Sequence, residues 1–456
     1  MFGASKSGSA AATDPYFSSV VLLLNGDGTN GAQNNTFIDS STTGLTFTRS
    51  GNATQGSFNP FSYPAPYSTS VNGGSLFFDG TTDYLTSASL AANQLTGNFT
   101  IEFWAYTLAA NTQQGLVNVN GTTSSGSNGN SIYFNTGGGI TYYISGNSAG
   151  GIVSTAGSLI SANTWYHIAL VYVSSTTVSN LYLNGTSVAT LTDTANFPAT
   201  PAIGVGRIFN DNTTSVMNGY ISNVRILKGT ALYTANFTPP PPTAPLTAIT
   251  NTYVLLSGIN AGIYDSAMKS NYETVGNAQV STSVKKYGTG SMAFDGTGDW
   301  LLGPNTTVQQ LAAGDFTIEG WVYLNAIGVA YGIVSKGAAA TGWSVNITSG
   351  NKLQFSYTAS NLTGATSLAA STWYYVTVVR SGVATGNVKV YLNGVLDATS
   401  GTAVTDNFNQ TTVMYVGASR TGATALNGYV DDLRITKGVA RYTANFPLPT
   451  APLPTS

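Results

Sequence analysis

GNFTIEFWAY (Gly97–Tyr106) returns later in the chain as GDFTIEGWVY (Gly314–Tyr323). In the first copy Phe99, Ile101 and Phe103 alternate with Thr100, Glu102 and Trp104. In the second, Phe316, Ile318 and Gly320 alternate with Thr317, Glu319 and Trp321. A period of two predicts a strand. Large apolar groups on both faces place that strand inside a layered structure rather than at a wet edge.

Working outward, the correspondence extends along both halves. GGSLFFDGTTDYL (Gly73–Leu85) matches GTGSMAFDGTGDWL (Gly288–Leu301), and NTWYHIALVY (Asn163–Tyr172) matches STWYYVTVVR (Ser371–Arg380). LYLNG (Leu181–Gly185) matches VYLNG (Val390–Gly394), and NGYISNVRI (Asn218–Ile226) matches NGYVDDLRI (Asn427–Ile435). KGTALYTANF from Lys228 matches KGVARYTANF from Lys437. The pairs keep one order and lie 208 to 217 residues apart. That spacing is far beyond a solenoid repeat of about 20–50 residues, so the chain is a tandem duplication of a whole domain. The units are read as an arm over residues 1–15, a first module over 16–238, a Pro-rich linker over 239–250, a second module over 251–447 and a Pro-rich tail over 448–456. The prolines Pro239–Pro242 predict an extended spacer.

Tyr166–Tyr172 and Tyr374–Val379 are β-branched and aromatic runs of strand length. Asn184-Gly185 and Asn393-Gly394 stand between strand-like flanks and predict hairpin tips, because both residues tolerate positive φ. Long amphipathic helical patterns are missing from the sequence. The fold class is therefore all-β, with each module a sandwich of two sheets.

The ordered set FDGTTDYL, FTIEFWAY, TWYHIALVY, YLNG and NGYISNVRILKG resembles the laminin-G-like, concanavalin A-like lectin/glucanase superfamily. The second module repeats it as FDGTGDWL, FTIEGWVY, TWYYVTVVR, YLNG and NGYVDDLRITKG. The resemblance implies two tandem jelly-roll β-sandwich domains. The opening DPYFSSVVLLLNGDGTN and the ending of each unit look like the version of this module found in bacteriophage and virus structural proteins. In such modules the last strand returns to the sheet, and the segment after it would pack the module's exit. Tyr233, Phe237, Tyr442 and Phe446 are its expected anchors.

Charged residues make up 7% of the chain and the net charge is −2, against about 25% charged residues in an ordinary domain. Lys285-Lys286 is the only adjacent basic pair, so phosphate neutralisation and nucleic-acid binding are not expected. No apolar run approaches the roughly 20 residues of a membrane-spanning helix, and the N-terminal stretch lacks the apolar core of a secretory signal. There is no cysteine, which excludes disulfides and thiolate metal sites.

Glycoside hydrolysis requires paired carboxylates. The chain has three Glu, at 102, 273 and 319, and none is followed by Asp two residues on. The single His167 is matched by Tyr375 in the second unit. Catalysis is not expected, and Glu102 and Glu319 are read as strand carboxylates hydrogen-bonded to backbone or Tyr. Asp79 and Asp83, repeated as Asp295 and Asp299, have two readings. Their oxygens suit Ca²⁺, which laminin-G-like modules sometimes bind at a loop rim, or they close Asx turns with Gly80 and Gly296. No other cofactor is expected. For a glycan, non-recurring aromatics in loops are the candidates, namely Tyr142 and Tyr143, beside the polar loop Thr122–Ser131.

The resulting expectation is a non-enzymatic virion structural protein, as a capsid decoration, head fibre or tail fibre. It would contact other virion proteins through the N-terminal arm and display two lectin-like modules to surface glycans, without nucleic-acid partners or membrane insertion. Homo-oligomerisation fits general symmetry. A secreted or cell-surface carbohydrate-binding adhesin and a glycan-degrading enzyme are the alternatives.

Overall fold

The computed structural model describes residues 14–455 apart from 27, 62–71, 121–128, 145–151, 155–156, 193–197, 210–213, 241–244, 258–260, 339–340 and 359. The alternation in the two FTIE stretches becomes strands Phe99–Thr107 and Phe316–Leu324. Each lies in the middle of a large antiparallel sheet. In the first module the neighbours are Trp165–Val173 on one side and Asn218–Lys228 on the other. In the second they are Trp373–Arg380 and Asn427–Lys437. A 7-stranded sheet faces each large sheet, so both modules are β-sandwiches.

The cores lie between the sheets. Phe99, Ile101 and Phe103 point inward with Ile168, Leu170 and Ile132. Phe316, Ile318 and Val322 do the same with Val376, Val378 and Val345. Both hairpin tips are as expected: Asn184 and Gly185 have φ of 48° and 77°, and Asn393 and Gly394 have 51° and 75°. The Asn side chains add a fastening, accepting the His167 and Tyr375 N–H groups at 2.9 Å each.

The sheets do not follow the boundaries read from the sequence. Val20–Asn25, at the start of the first unit, pairs with Asn427–Lys437 at the end of the second, with Leu22 opposite Ile435 and Leu24 opposite Leu433. Thr252–Leu256, at the start of the second unit, pairs with Asn218–Lys228 of the first, with Val254 opposite Ile226 and Leu256 opposite Val224. The side chains follow the hydrogen bonds. Val21, Leu22 and Leu24 belong to the second core, and Val254 and Leu256 to the first. The modules have exchanged their opening strands.

Matching contacts hold each exchanged strand. The Asp265 carboxylate accepts the Leu23 N–H at 2.9 Å, and the Asp39 carboxylate accepts the Leu255 N–H at 2.8 Å. Asn34 ties the crossing, donating to the Ile263 and Tyr272 carbonyls at 2.5 and 2.6 Å and accepting the Ile263 N–H at 2.9 Å. The exchange works because both strands present the same thing to either sheet: a short apolar run with backbone groups to pair.

The Pro-rich stretches also depart from the spacer expectation, as far as they are described. The Leu246 N–H donates to Asn223 at 2.8 Å and the side chain is buried. The Leu453 N–H donates to Asp432 at 3.0 Å, and Leu453 packs against Val20, Leu23 and Ala267. Both stretches lie back on the sandwich instead of projecting from it.

Candidate functional site

The recurring Glu residues point to the outer face of each large sheet, away from the core. Glu102 is fully buried. Its Oε1 accepts Arg225 Nε and Nη2 at 2.8 and 2.6 Å, and its Oε2 accepts the Tyr233 hydroxyl at 2.8 Å. His167 Nε2 lies 3.3 Å from Oε2. Burial alone would raise this carboxyl, but His167 and Arg225 outweigh it and hold it below the ordinary glutamate range. In the second module Glu319 Oε1 accepts Arg434 Nε and Nη2 at 2.9 and 2.8 Å, and Oε2 accepts Tyr375 and Tyr442 hydroxyls at 2.6 and 2.8 Å. A buried carboxylate needs such partners. The carboxylates stand out in the sequence, and the structure adds Arg225 and Arg434 as their partners. Their signal was present: a lone Arg recurs in both NGY motifs.

The segments after the last strands are built around these carboxylates. Tyr233 stacks on Phe237 at 3.6 Å between ring centroids, and Tyr442 on Phe446 at the same distance. The Phe237 N–H donates to the Gly185 carbonyl and the Phe446 N–H to the Gly394 carbonyl, each at 2.9 Å. Asn236 and Asn445 accept the Ser187 and Leu396 N–H groups at 2.9 and 2.8 Å. Each closing segment thus crosses its hairpin tip, and a Cβ at Gly185 or Gly394 would run into the Phe237 or Phe446 carbonyl oxygen. Glycine is required there for its φ and for the crossing.

One difference between the two closing segments has a visible cause. Leu232 of the first is matched by Arg441 in the second. Arg441 donates to both Asp14 oxygens at 2.9 and 2.8 Å, and Arg434 adds a bond to Asp14 at 2.8 Å. Despite burial, these contacts hold the Asp14 carboxyl below its ordinary value. Of the arm at 1–15, only Asp14 and Pro15 are described, and Asp14 is tied to the second module.

Asp79 and Asp295 accept the N–H groups of Thr81 and Thr297 at 2.8 and 2.7 Å, the contacts of an Asx turn. Asp83 accepts the Asn52 and Asp79 N–H groups at 2.7 and 3.0 Å. Asp299 accepts those of Asn277 and Asp295 at 2.9 Å each. Burial, reinforced by Asp79, pushes the Asp83 carboxyl up to about 7. No group of three or more His, Cys, Asp or Glu suited to a metal occurs among the described residues.

Tyr142 and Tyr143 are on strand Ile140–Ile144, not in a loop. Tyr142 is 1% exposed, belongs to the core and donates its hydroxyl to Asn130 at 3.1 Å. The reason is the pattern Ile140, Tyr142, Ile144, which turns Tyr142 inward. Tyr143 points the other way and meets Phe209 edge-on at 5.4 Å. Within the polar loop Thr122–Ser131, residues 122–128 lie outside the described residues.

A polar surface that the sequence did not disclose lies on the small sheet of the second module. On strands Trp343–Ile347 and Lys352–Tyr357 the apolar residues face the core, so Ser344, Asn346, Gln354 and Ser356 face outward. They adjoin a depression of about 510 Å³ lined by Tyr331, Ser344, Asn346, Gln354 and Arg420 among others. The Asn346 amide donates to Ser344 and Ser356 hydroxyls at 2.8 and 3.2 Å. Its Oδ1 is buried with no hydrogen-bond partner. Beside this surface, Trp300 and Tyr415 meet at 6.0 Å. The arrangement offers neutral donors and acceptors at fixed positions, with aromatic surface nearby.

Comparison with known proteins agrees with the fold. The model for the concanavalin A-like lectin/glucanases superfamily matches residues 79–233 and 295–441. No curated protein matches. Among solved structures, domains LG4-5 of the mouse laminin α1 chain align at 12% identity over 84% of this chain and 94% of that one, with a TM-score of 0.28. Domain 4 of AbnA, an extracellular arabinanase from Geobacillus stearothermophilus solved with arabinotriose, aligns at 18% identity over 39% and 87%, with a TM-score of 0.32. The CBM40 of the Ruminococcus gnavus IT-sialidase bound to α2,3-sialyllactose aligns at 15% identity over 35% and 91%, with a TM-score of 0.30. The family match covers more than half of the chain, once in each module, and the chain belongs to the concanavalin A-like lectin/glucanase superfamily.

Proposed function

We propose that this is a non-enzymatic glycan-binding protein displayed on a virion surface. The observation that carries the binding half is the outward face of the second module's small sheet. There Ser344, Asn346, Gln354 and Arg420 line a depression of about 510 Å³, and the buried Asn346 Oδ1 has no partner. Neutral amides and hydroxyls beside aromatic rings suit a sugar's hydroxyls and C–H faces. The non-enzymatic half is supported by Glu102 and Glu319, each held by an Arg and at least one Tyr.

Virion display is supported by the likeness of the opening and closing segments to modules of phage structural proteins. Repetition on a particle raises a weak contact to useful avidity. The test has two parts. Full-length protein on a glycan array should bind a defined glycan subset, and Asn346→Ala should remove binding to at least one member of that subset. Mass spectrometry of purified particles should give a whole-number copy count per major capsid or tail protein. No glycan bound would overturn the first half, and absence from intact particles the second.

A further inference from the structure

The outer faces of the two large sheets carry a second recurring feature. In the first module Phe77, Tyr220, Tyr106 and Trp165 are neighbours in one row across four strands. In the second module the row is Ala293, Tyr429, Tyr323 and Trp373. The duplication has left the two rows with different cover.

The first row is covered by an added ring, although Tyr106 and Trp165 stay half-buried beside a cleft of about 420 Å³. Phe58 packs over it, with ring centroids 4.5 Å from Tyr220, 5.1 Å from Tyr106 and 5.4 Å from Trp165. Lys269 and Asn305–Val308 of the second module face the same cleft. Tyr220 is 1% exposed.

The second row is open. Gly56 pairs with Ser75 as Ser281 pairs with Ser291, so the residue matching Phe58 is Ser283, a small exposed side chain. Tyr323, Trp373 and Tyr429 are all half-buried. The Tyr323 ring lies 5.5 Å from Trp373 and 5.7 Å from Tyr429. Beside Tyr429 a depression of about 260 Å³ is lined by Asn277, Asp295, Asn325 and Asn427. These groups are oriented in pairs, Asn277 donating to Asp295 at 2.8 Å and Asn325 to Asn427 at 2.9 Å. In the covered copy the place of Asn325 is taken by Leu108, the residue after the matching strand end. Where the row is covered the position is apolar, and where it is open it is an amide.

We propose that the open row is a second binding site of this protein, for a neutral pyranose of a glycan. Tyr323, Trp373 and Tyr429 receive the C–H face of the ring, and Asn325, Asn427 and Asp295 receive its hydroxyls. The exposed Asp295 carboxylate disfavours an acidic sugar. The site lies on the opposite sheet from the Asn346 depression and stands or falls separately from it. The site is assigned to the second module alone, because in the first module the Phe58 ring lies where the sugar face would stack.

The test uses the full-length chain carrying Asn346→Ala, which removes the other surface. Saturation-transfer NMR is recorded with the methyl glycosides of glucose, galactose, mannose and N-acetylglucosamine. At least one should give a signal, and adding Trp373→Ala should weaken its binding about tenfold or more. Adding Trp165→Ala, in the row that Phe58 covers, should leave it unchanged. Asn427→Ala is the second variant, read in the same way should Trp373→Ala not fold. Lack of signal from all four glycosides, or a signal that survives both second-module variants, overturns the proposal. So does a concentration-dependent dimer that Trp373→Ala dissociates, which would make the row a contact between copies of this chain. Glycan-array binding lost with Asn346→Ala alone would leave the proposed function intact while this site failed.

Discussion

Replacing Leu22 by Ala should loosen the second module, although residue 22 lies at the start of the first. Leu22 is 0% exposed and sits in the second core, opposite Ile435. Truncating a buried Leu to Ala costs about 2–5 kcal/mol, the transfer term plus the cavity. Hydrogen exchange by mass spectrometry locates that loss. Amides of Asn427–Lys437 and Phe316–Leu324 should exchange roughly 30-fold to 4,000-fold faster, at about 1.4 kcal/mol per tenfold. Amides of Asn218–Lys228 should change much less. The reciprocal variant, Leu256→Ala, should reverse the pattern, because Leu256 is 1% exposed in the first core opposite Val224. If Leu22→Ala instead loosens Asn218–Lys228 and spares Asn427–Lys437, each module keeps its own opening strand and the exchange is refuted.

Two further perturbations follow from the buried groups. Tyr442→Phe removes a hydroxyl that donates to Glu319 at 2.8 Å, and should cost about 1.5–3 kcal/mol in urea unfolding, as for a hydrogen bond to a charged group. A cost below about 0.5 kcal/mol, the scale of a neutral surface change, would show that the closing segment does not depend on this contact. Asp83 supplies a pH dependence of definite sign. Its folded carboxyl is raised to about 7, against about 3.9 when unfolded. The folded form therefore keeps a proton that the unfolded form has released. The stability this contributes is full below pH ~4 and is lost as pH rises through about 7, up to about 4 kcal/mol in all. Asp83→Asn should flatten that fall between about pH 4 and 7, and an unchanged slope would contradict the assignment.

The parts of this structure legible in the sequence are those with a local pattern. Alternation in FTIE, Asn-Gly between strand flanks and the repeated motifs are each readable within ten residues. Glu102 and Glu319 stood out because they recur. The exchange of opening strands left no such mark. Val20–Leu24 and Val254–Leu256 are both short apolar runs, and nothing in either run says which sheet it completes. Tyr142 is legible as an inward strand residue from Ile140 and Ile144, which flank it at a period of two, rather than as the loop aromatic its failure to recur suggests. The Asn346 surface was hidden for a different reason. Its groups come from neighbouring strands, so only folding assembles them. The asymmetry of the aromatic rows was also beyond reach, because Phe58 and Asn305–Val308 meet only across the module boundary.

The most direct test of the central claim is glycan-array binding by the full-length chain, compared with Asn346→Ala, at low and high salt and with and without EDTA. Selective binding is predicted, and Asn346→Ala should remove at least one of the bound glycans. Also predicted are weak salt dependence, because the chain carries 7% charged residues, and no loss in EDTA, because Asp83 and Asp299 are engaged by backbone N–H groups. Binding to no glycan under any of these conditions, or equal binding by Asn346→Ala, would contradict that claim.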